Sequence, residues 1–513
     1  MKKEIWRLLF SRYAICAFII ALEVLLIAFL IATASIFSYV FIAVCAVIDI
    51  AAVISIINRD ANPEYKVTWT VLVLVLPLLG TLLYAIFYRR RITKSEQRLL
   101  EGIFIRIRGR GIDPRAFDMM RRRSPLAAGK ARAIMNDDPL AEGYAKTSST
   151  LFSTGEAMFN SMLRELRGAK DFIFLEYFII SHGDLWDEIH SILVEKVKEG
   201  VEVRLLFDDF GCMRTLPPYY ENTLRDEGIA AFRFNRVSPE MSSIHNNRDH
   251  RKICVIDGKI GYTGGVNIAD EYVNTKVRFG YWKDGGIRLS GDAVKGLLKL
   301  FLSAWELTTG ELSDMDRQLI DRVAVEERSD GGHYVVYGSG PAPIYRRSNG
   351  KNVFLNLINQ AERYVYITTP YLIIDYDLTE ALRSAAMRGI DVRIITPGVP
   401  DKKRIKIMTK SSYPYLIEAG VKIYEYTPGF IHEKTLVSDD EYAVVGTINF
   451  DYRSLVHHFE DAVWMYECPT VGVAKREIMK TLSESQRISF EHTKLSFTEW
   501  VFKMGMRIFA PLL

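Results

Sequence analysis

The sequence predicts a mixed α/β protein that consists of two similar domains behind an N-terminal membrane anchor. One eight-residue pattern occurs at residues 250–257 and again at residues 432–439. Short apolar runs typical of strands alternate with amphipathic runs typical of helices around each copy. Apolar residues also dominate the first 91 positions. At 513 residues the chain is long enough for two or three domains that each bury a core.

Residues 1–91 are predicted to form a membrane anchor of about three helices. The apolar run at residues 13–57 covers about 45 residues, more than twice the roughly 20 that one span needs. We therefore expect a helical hairpin that turns near Ser35–Ser38, followed by another span at residues 67–88. The first run is too long for a cleaved signal peptide, so a multi-pass protein of the cell membrane is predicted. The flanking positive charges do not decide its orientation.

Two further segments suit a position beside a membrane. Residues 92–145 are rich in arginine and are predicted to be a basic juxtamembrane linker, for which anionic headgroups are the expected partner. A nucleic-acid patch or a plain solvated linker fits the same residues. Residues 495–513 are predicted to form an amphipathic helix that lies in the interface or packs on its own domain.

Composition argues against two other classes of protein. The 66 Lys and Arg residues nearly balance the 62 Asp and Glu residues, and a net charge of +4 gives no support for nucleic-acid binding. The five cysteines show no Cys-x-x-Cys spacing. Neither a zinc site nor a disulfide framework is therefore expected.

The two domains are predicted to share one order of elements. The first is expected at residues 146–325 and the second at residues 326–494, joined by the polar stretch 310–333. Each begins with a strand, a helix and a strand, at residues 171–180, 185–198 and 201–207 in the first and 364–369, 378–388 and 390–396 in the second. The sequence Gly-Val-Glu-Val-Arg at residues 200–204 matches Gly-Ile-Asp-Val-Arg at residues 389–393.

The repeated pattern reads His, any residue, Lys, four residues, Asp. Its copies lie 182 residues apart (432 − 250), and a glycine and an asparagine follow at the same offset. Alternation in a strand turns residues two apart to the same face, so each copy presents one His and one Lys together. One such motif is weak evidence, but a duplicated one is strong. The members are His250, Lys252, Asp257, Gly264 and Asn267 in the first copy and His432, Lys434, Asp439, Gly446 and Asn449 in the second.

Two histidines and two lysines at one seam suit chemistry on a phosphodiester. A neutral imidazole attacks phosphorus while a protonated imidazole donates to the leaving oxygen. Lys252 and Lys434 would hold the phosphate, and Asn267 and Asn449 would add uncharged donors. No metal-ligand cluster accompanies the motifs, so a site without a metal is predicted.

The chain resembles the bacterial cardiolipin synthases of the phospholipase D superfamily. The resemblance begins near residue 38, covers nearly all of the remaining chain, and implies two αβαβα domains that share one active site. The implied reaction transfers a phosphatidyl group from one phosphatidylglycerol to another, releases glycerol and needs no cofactor. Phosphatidylglycerol and membrane lipids are the implied partners. The matching stretches are residues 250–257, 264–267, 369–371, 429–434 and 446–454, with Thr447 where the family often has Ser.

The resemblance also implies a role for each site residue. His250 would be the nucleophile, forming a phosphatidyl-histidine, and His432 the general acid. Asp284 would steer His250, and Glu460 would steer His432. Asp257 and Asp439 complete the two sets of catalytic motif residues, and within them these carboxylates are expected to brace the loops rather than to touch the substrate.

Other functions fit some of the same residues. A membrane phospholipase D that uses water as acceptor and yields phosphatidic acid would have the same motifs. A nuclease is disfavoured by the apolar spans and the near-neutral charge, and a scaffold without activity is disfavoured by two intact motifs. Three more histidines, His245, His457 and His458, are candidates for the pocket wall.

Overall fold

A computed structural model describes residues 36–59, 62–85, 94–107, 114–237, 247–311, 314–323, 329–341, 345 and 347–509, with a few helical positions among residues 21–33. The chain divides into two compact units. One contains residues 1–91, 239–244 and 505–513, and the other contains residues 92–238 and 245–504. The second unit includes both copies of the repeated motif.

In the first unit, helix α1 (Ile36–Ile57) precedes α2 (Pro63–Val75) and α3 (Pro77–Leu83). At 1.5 Å per residue the 22 residues of α1 extend about 33 Å, enough to cross a bilayer core. It is the one helix in the described part of the chain that is long and apolar enough to do so. The break between α2 and α3 follows from Pro77, which lacks an N–H and pushes the residue before it out of helical conformation.

The turn predicted near Ser35–Ser38 is not found at residues 36–38, which form the first turn of α1. Ser35 and the first predicted span lie outside the described residues, so the number of spans stays a prediction. Asp49, the acidic residue inside α1, is buried and accepts a hydrogen bond from the hydroxyl of Thr81 in α3 at 2.5 Å. An acidic group inside an apolar hairpin is thus paired, as such groups usually are.

The first α/β domain is built on a seven-stranded sheet with the order β2-β9-β7-β6-β3-β4-β5. Strands β3, β4 and β5 are parallel, and β6 runs antiparallel to β3. A short strand, β8, lies outside this sheet. The bounds are β2 Thr147–Phe152, β3 Phe172–Tyr177, β4 Glu202–Asp208, β5 Ala230–Phe234, β6 Lys252–Ile256, β7 Ile260–Gly264, β8 Tyr281–Lys283 and β9 Gly286–Gly291.

The second domain repeats this plan in a nine-stranded sheet with the order β1-β10-β19-β17-β16-β11-β13-β14-β20. Its parallel strands β11, β13 and β14 correspond to β3, β4 and β5, and β16 corresponds to β6. The bounds are β1 Glu142–Tyr144, β10 His333–Ser339, β11 Tyr364–Thr368, β12 Leu372–Ile373, β13 Asp391–Pro397, β14 Lys422–Tyr426, β15 Gly429–Ile431, β16 Thr435–Ser438, β17 Tyr442–Gly446, β18 Phe450–Asp451, β19 Glu460–Tyr466 and β20 Ser485–Arg487.

Helices accompany the sheets, and the two sheets share one apolar core. The core contains Phe174 of β3, Phe301 of a long buried helix, and Val445 of β17. That helix packs closely on β10, since a Cβ at Gly296 would lie 2.4 Å from the Val336 side chain. The helices are α4 Lys94–Ile107, α5 Pro114–Arg123, α6 Pro125–Asp137, α7 Gly155–Gly168, α8 Asp184–Lys198, α9 Asp209–Cys212, α10 Tyr220–Asp226, α11 Val294–Thr309, α12 Asp314–Arg322, α13 Asn349–Asn359, α14 Tyr376–Met387, α15 Lys403–Glu418, α16 Pro469–Ser483 and α17 Phe497–Phe509.

The segment predicted as a basic linker, residues 92–145, instead carries three helices and an edge strand. Strand β1 pairs with β10, and Ile103 and Ile107 of α4 join the shared apolar core. Arg106 forms an ion pair with the buried Glu306 of α11. Arginine-rich composition concealed these apolar positions, because long basic side chains flank buried ones on the same helices.

Candidate active site

Two short backbone pairings between the domains position the repeated histidines. Strand β15 pairs in parallel with β8 of the other domain, and the His432 N–H then donates to the Lys283 carbonyl at 2.7 Å. On the opposite side, the His250 N–H donates to the carbonyl of Phe459, in the second domain, at 2.8 Å. Each histidine is therefore anchored through its backbone to the domain that does not contain it.

The same pairing decides which carboxylate each histidine contacts. The distance from His250 Nδ1 to Glu460 Oε2 is 2.9 Å, and that from His432 Nδ1 to Asp284 Oδ2 is 2.6 Å. The expectation that Asp284 steers His250 and Glu460 steers His432 is thus wrong. Asp284 directly follows β8 and Glu460 directly follows Phe459, so each acid reaches the histidine of the opposite domain.

The two carboxylates differ in the support that they receive. Glu460 accepts hydrogen bonds at 2.5 Å from the hydroxyls of Thr447 and Ser454. Asp284 accepts one from the backbone N–H of its neighbour Gly285 at 2.8 Å. Position 265, the equivalent of Thr447, is a glycine, and a Cβ there would lie 2.1 Å from Asp284 Oδ1. A side chain at that position would displace the acid.

Burial and positive charge act on both imidazoles. His250 and His432 are each less than a tenth exposed. Burial first, and then the charges of Lys252 and Lys434, lower the pKa of both histidines well below the usual value. Both rings are therefore neutral in the free protein, and the negative charge of a bound phosphodiester would favour protonation of one of them. With Nδ1 donating to a carboxylate, the lone pair of a neutral imidazole resides on Nε2, as a nucleophile or base requires.

The two lysines lie directly beside the histidines that precede them in the motif. Lys252 Nζ donates to the His250 carbonyl at 2.5 Å, and Lys434 Nζ lies 2.8 Å from His432 Nδ1 and 3.1 Å from His432 Nε2. Burial lowers the pKa of Lys252 to about 8 and that of Lys434 to about 7. An anionic phosphate bound between them would favour their charged forms.

Asn267 and Asn449, predicted as substrate donors, differ in their surroundings. Asn267 accepts from the Ile179 N–H at 3.0 Å and donates to the Tyr272 hydroxyl at 2.7 Å. The side-chain oxygen of Asn449 is buried and has no hydrogen-bond partner among the described residues. A role in binding or catalysis is one explanation for such a group in a folded protein.

The motif carboxylates, Asp257 and Asp439, lie at the other end of their strands. Asp257 accepts hydrogen bonds from three successive backbone N–H groups at residues 170–172, and Asp439 does the same at residues 362–364. Both have a left-handed backbone conformation, with φ of 52° and 59°. Including them among the catalytic groups is not supported by this placement, whereas the expected bracing role agrees with it.

Aromatic side chains that the motif pattern did not reveal surround the histidines. Phe178 lies 5.0 Å from the His250 ring, and Tyr272 and Trp282 lie 5.5 and 5.6 Å from the His432 ring. The repeated pattern is defined only by its His, Lys and Asp positions, so it could not predict these aromatic residues. They exclude water from the imidazoles.

Of the three extra histidine candidates, His458 lies in the site. Its ring is 5.4 Å from that of His250, its Nε2 accepts from Arg453 Nε at 3.2 Å, and its Nδ1 lies 3.6 Å from Glu460 Oε1. Burial lowers the pKa of His458 to about 3, so it is neutral. His457 is buried, and His245 lies outside the described residues.

One group of side chains has the composition of a metal site. His250, His458 and Glu460 offer ligand atoms that lie within 4.8 Å of one another. Arg453 already donates to one nitrogen of His458, and the adjacent lysine charges oppose a divalent cation. These three side chains are therefore better suited to hydrogen bonding with one another than to binding a metal ion.

Comparison with known proteins places this geometry in a family. Residues 162–277 and 354–482 match the model described as "Cardiolipin synthase, PLD-like domain", and residues 47–89 match a phospholipase D-nuclease N-terminal model. A protein of Streptococcus mutans serotype c with no assigned function is 39% identical, over 90% of this chain and 100% of its own. A cardiolipin synthase of Geobacillus sp. (strain WCH70) is 34% identical, over 91% of this chain and 92% of its own.

A solved structure shares the fold. Phosphatidylserine synthase from Haemophilus influenzae Rd KW20 superposes with a TM-score of 0.55 at 16% identity, over 75% of this chain and 97% of that one. At this identity the likeness concerns the fold alone.

Proposed function

The chain belongs to the cardiolipin synthase family of phospholipase D-like proteins, and we propose that its paired histidines transfer a phosphatidyl group from one phosphatidylglycerol to another. The chain is a phosphatidyltransferase, and the products are cardiolipin and glycerol. Two lipid substrates agree with the membrane association of the family and with the apolar helix α1. A multi-pass anchor is part of the proposal.

In the first step, His250 Nε2 attacks the phosphorus of the donor lipid. The bond from phosphorus to the glycerol oxygen breaks, and that oxygen takes a proton from His432. Lys252 and Lys434 hold the non-bridging oxygens and stabilise the charge that grows on them. The phosphatidyl group is then bonded to His250.

In the second step, neutral His432 removes the proton from the terminal hydroxyl of a second phosphatidylglycerol. The resulting oxygen attacks phosphorus, and the bond between phosphorus and His250 breaks. One phosphodiester is exchanged for another, so no energy source is required. In this step His432 regains the proton that it gave to the glycerol, so the cycle consumes no proton.

The observation that carries the proposal is the pair of histidine–carboxylate contacts that cross between the domains. The differences between the two pairs support His250 as the nucleophile and His432 as the general acid. Burial raises the pKa of Asp284 to about 7, so the His432–Asp284 pair holds an extra proton near neutral pH, as a general acid must. Two hydroxyls share the charge of Glu460, which favours a neutral His250 as nucleophile.

The test uses the purified full-length protein in mixed micelles with phosphatidylglycerol labelled in its headgroup glycerol. Wild type should form cardiolipin and release labelled glycerol. Protein denatured rapidly at mildly alkaline pH, where a phosphorus–nitrogen bond survives, should carry a phosphatidyl group, detected by mass spectrometry, that is absent from His250→Ala. His492→Ala, at an exposed histidine outside the site, is the matched control. Phosphatidic acid as the main product would instead identify a hydrolase.

A further inference from the structure

A small surface cleft lies on the His432 side of the site. Tyr371, Asp401, Lys402 and Phe430 belong to its walls. Phe430 is part of β15, the strand that leads into the histidine, and its ring lies 5.7 Å from the His432 ring. The cleft therefore adjoins the group that handles the leaving and incoming hydroxyls.

The loop that carries Lys402 is fixed against the same strand. It follows β13, and the Val399 N–H donates to the Gly429 carbonyl of β15 at 3.4 Å. The neighbouring Gly398 N–H donates to the Tyr426 carbonyl at 2.8 Å. These contacts hold the loop at the rim of the site.

Lys402 brings a positive charge to one histidine more than to the other. Burial, Lys434, Lys252 and then Lys402 lower the pKa of His432. The charges that act most strongly on His250 come from Lys252, Lys434, His432 and Asp249. The site thus has a third lysine, and it lies on the His432 side.

This lysine is not committed to a strong internal partner. Its side chain is 65% exposed, and Nζ lies 3.7 Å from Asp401 Oδ2 and 5.6 Å from the Tyr371 ring. The Tyr371 hydroxyl donates to the same Asp401 oxygen at 2.7 Å. An exposed ion pair of this kind contributes little, so the ammonium group is available to another anion.

The acceptor lipid supplies such an anion. Its own phosphodiester lies at the other end of the glycerol whose terminal hydroxyl attacks, three carbon atoms away. Water, or a neutral alcohol, has no such group. A transferase that uses phosphatidylglycerol as acceptor therefore gains from a second phosphate site beside the general base, separate from the lysines that hold the reacting phosphate.

We propose that Lys402 binds the phosphodiester anion of the acceptor phosphatidylglycerol while His432 activates its terminal hydroxyl. This inference rests on the proposed function, because it requires the acceptor to enter on the His432 side. It makes Lys402 a determinant of acceptor choice.

The experiment compares two acceptors in one reaction. Purified full-length protein in mixed micelles receives labelled phosphatidylglycerol and excess 1-propanol, and the ratio of cardiolipin to phosphatidylpropanol is measured. Lys402→Gln should lower this ratio about tenfold or more, as expected for one charge-assisted contact. Lys402→Arg should restore most of it. Lys403→Gln, at the adjacent exposed lysine, should leave it unchanged.

Three outcomes would overturn the inference: an unchanged ratio in Lys402→Gln, an equal fall of both products, or the same fall in Lys403→Gln. An equal fall would mean that Lys402 serves the donor step, and an effect of Lys403 would mean a general effect of surface charge. Failure of the proposed function is seen separately, since wild type would then form no cardiolipin even when 1-propanol is left out.

Discussion

The imidazole of His250 donates to the carboxylate of Glu460, 210 residues away in the other domain, at 2.9 Å. His432 and Asp284 make the reciprocal contact. Neither domain therefore holds a complete histidine–acid pair, and the chemistry depends on both. Because both halves belong to one chain, each histidine always has the acid of the other half available. Two separate chains would first have to associate to bring the same pairs together.

The assignment of roles predicts how activity depends on the leaving group. His432→Ala and Asp284→Asn should slow release of glycerol by about 10²–10⁴-fold, the usual worth of acid catalysis. With a phosphatidyl p-nitrophenyl ester, whose leaving group needs no proton, formation of the covalent intermediate should recover in these two variants. His250→Ala and Glu460→Gln should stay slow with both substrates. Burst kinetics of p-nitrophenolate measures this step, and recovery in the His250 variant would reverse the roles.

The buried lysines predict the alkaline side of the pH profile. A lysine is charged below its pKa, and burial lowers the values of Lys252 and Lys434 to about 8 and about 7. In the free enzyme both charges are thus present below pH 7 and are lost as the pH rises through 8, so kcat/KM should fall over that range. Bound phosphate raises both lysine pKa values, so the fall in kcat should occur at higher pH. Coincident profiles for the two parameters would refute this explanation.

Part of this arrangement follows from the sequence, and part depends on long-range pairing. The duplication, the facing histidines and the accompanying lysines are predictable because strand alternation fixes which side chains share a face. The partner of each carboxylate is not, because β8 and β15 are three residues each and pair across domains. The fold of residues 92–145 is unpredictable for a similar reason: Glu142 of β1 pairs with Val336 of β10, 194 residues further along the chain (336 − 142).

Gly265 predicts a site-specific effect of adding one methyl group. In Gly265→Ala the new Cβ would lie 2.1 Å from Asp284 Oδ1, so the carboxylate must leave His432. A displacement of about 1 Å at a catalytic contact costs on the order of 10²-fold in rate. Gly129→Ala is the control, because nothing lies within 4 Å of a Cβ there. Steady-state assays and thermal melts of both variants check the prediction, and unimpaired turnover in Gly265→Ala would contradict it.

The motif aspartates are expected to affect stability rather than chemistry. Asp257→Asn and Asp439→Asn each weaken hydrogen bonds to three consecutive backbone N–H groups. We expect a loss of about 1–3 kcal/mol in the free energy of unfolding for each. Activity per folded molecule should stay within a few-fold of wild type. A normal melting temperature combined with lost activity would instead favour a direct catalytic role.

The two motif asparagines should separate into one structural and one functional residue. Asn267 forms hydrogen bonds with Ile179 and Tyr272, so Asn267→Ala leaves a partly buried N–H unpaired and should lower the free energy of unfolding by about 1–3 kcal/mol. The Asn449 side-chain oxygen has no such partner in the described part of the chain. Asn449→Ala should therefore melt like wild type. We expect it to lose about 10²–10³-fold in kcat, because its Nδ2, rather than the oxygen, would donate to the phosphate in the transition state. Thermal melts and kcat measured on the same preparations test both halves. Equal melting temperatures and equal rates in the two variants would show that the difference in hydrogen bonding between Asn267 and Asn449 has no functional consequence.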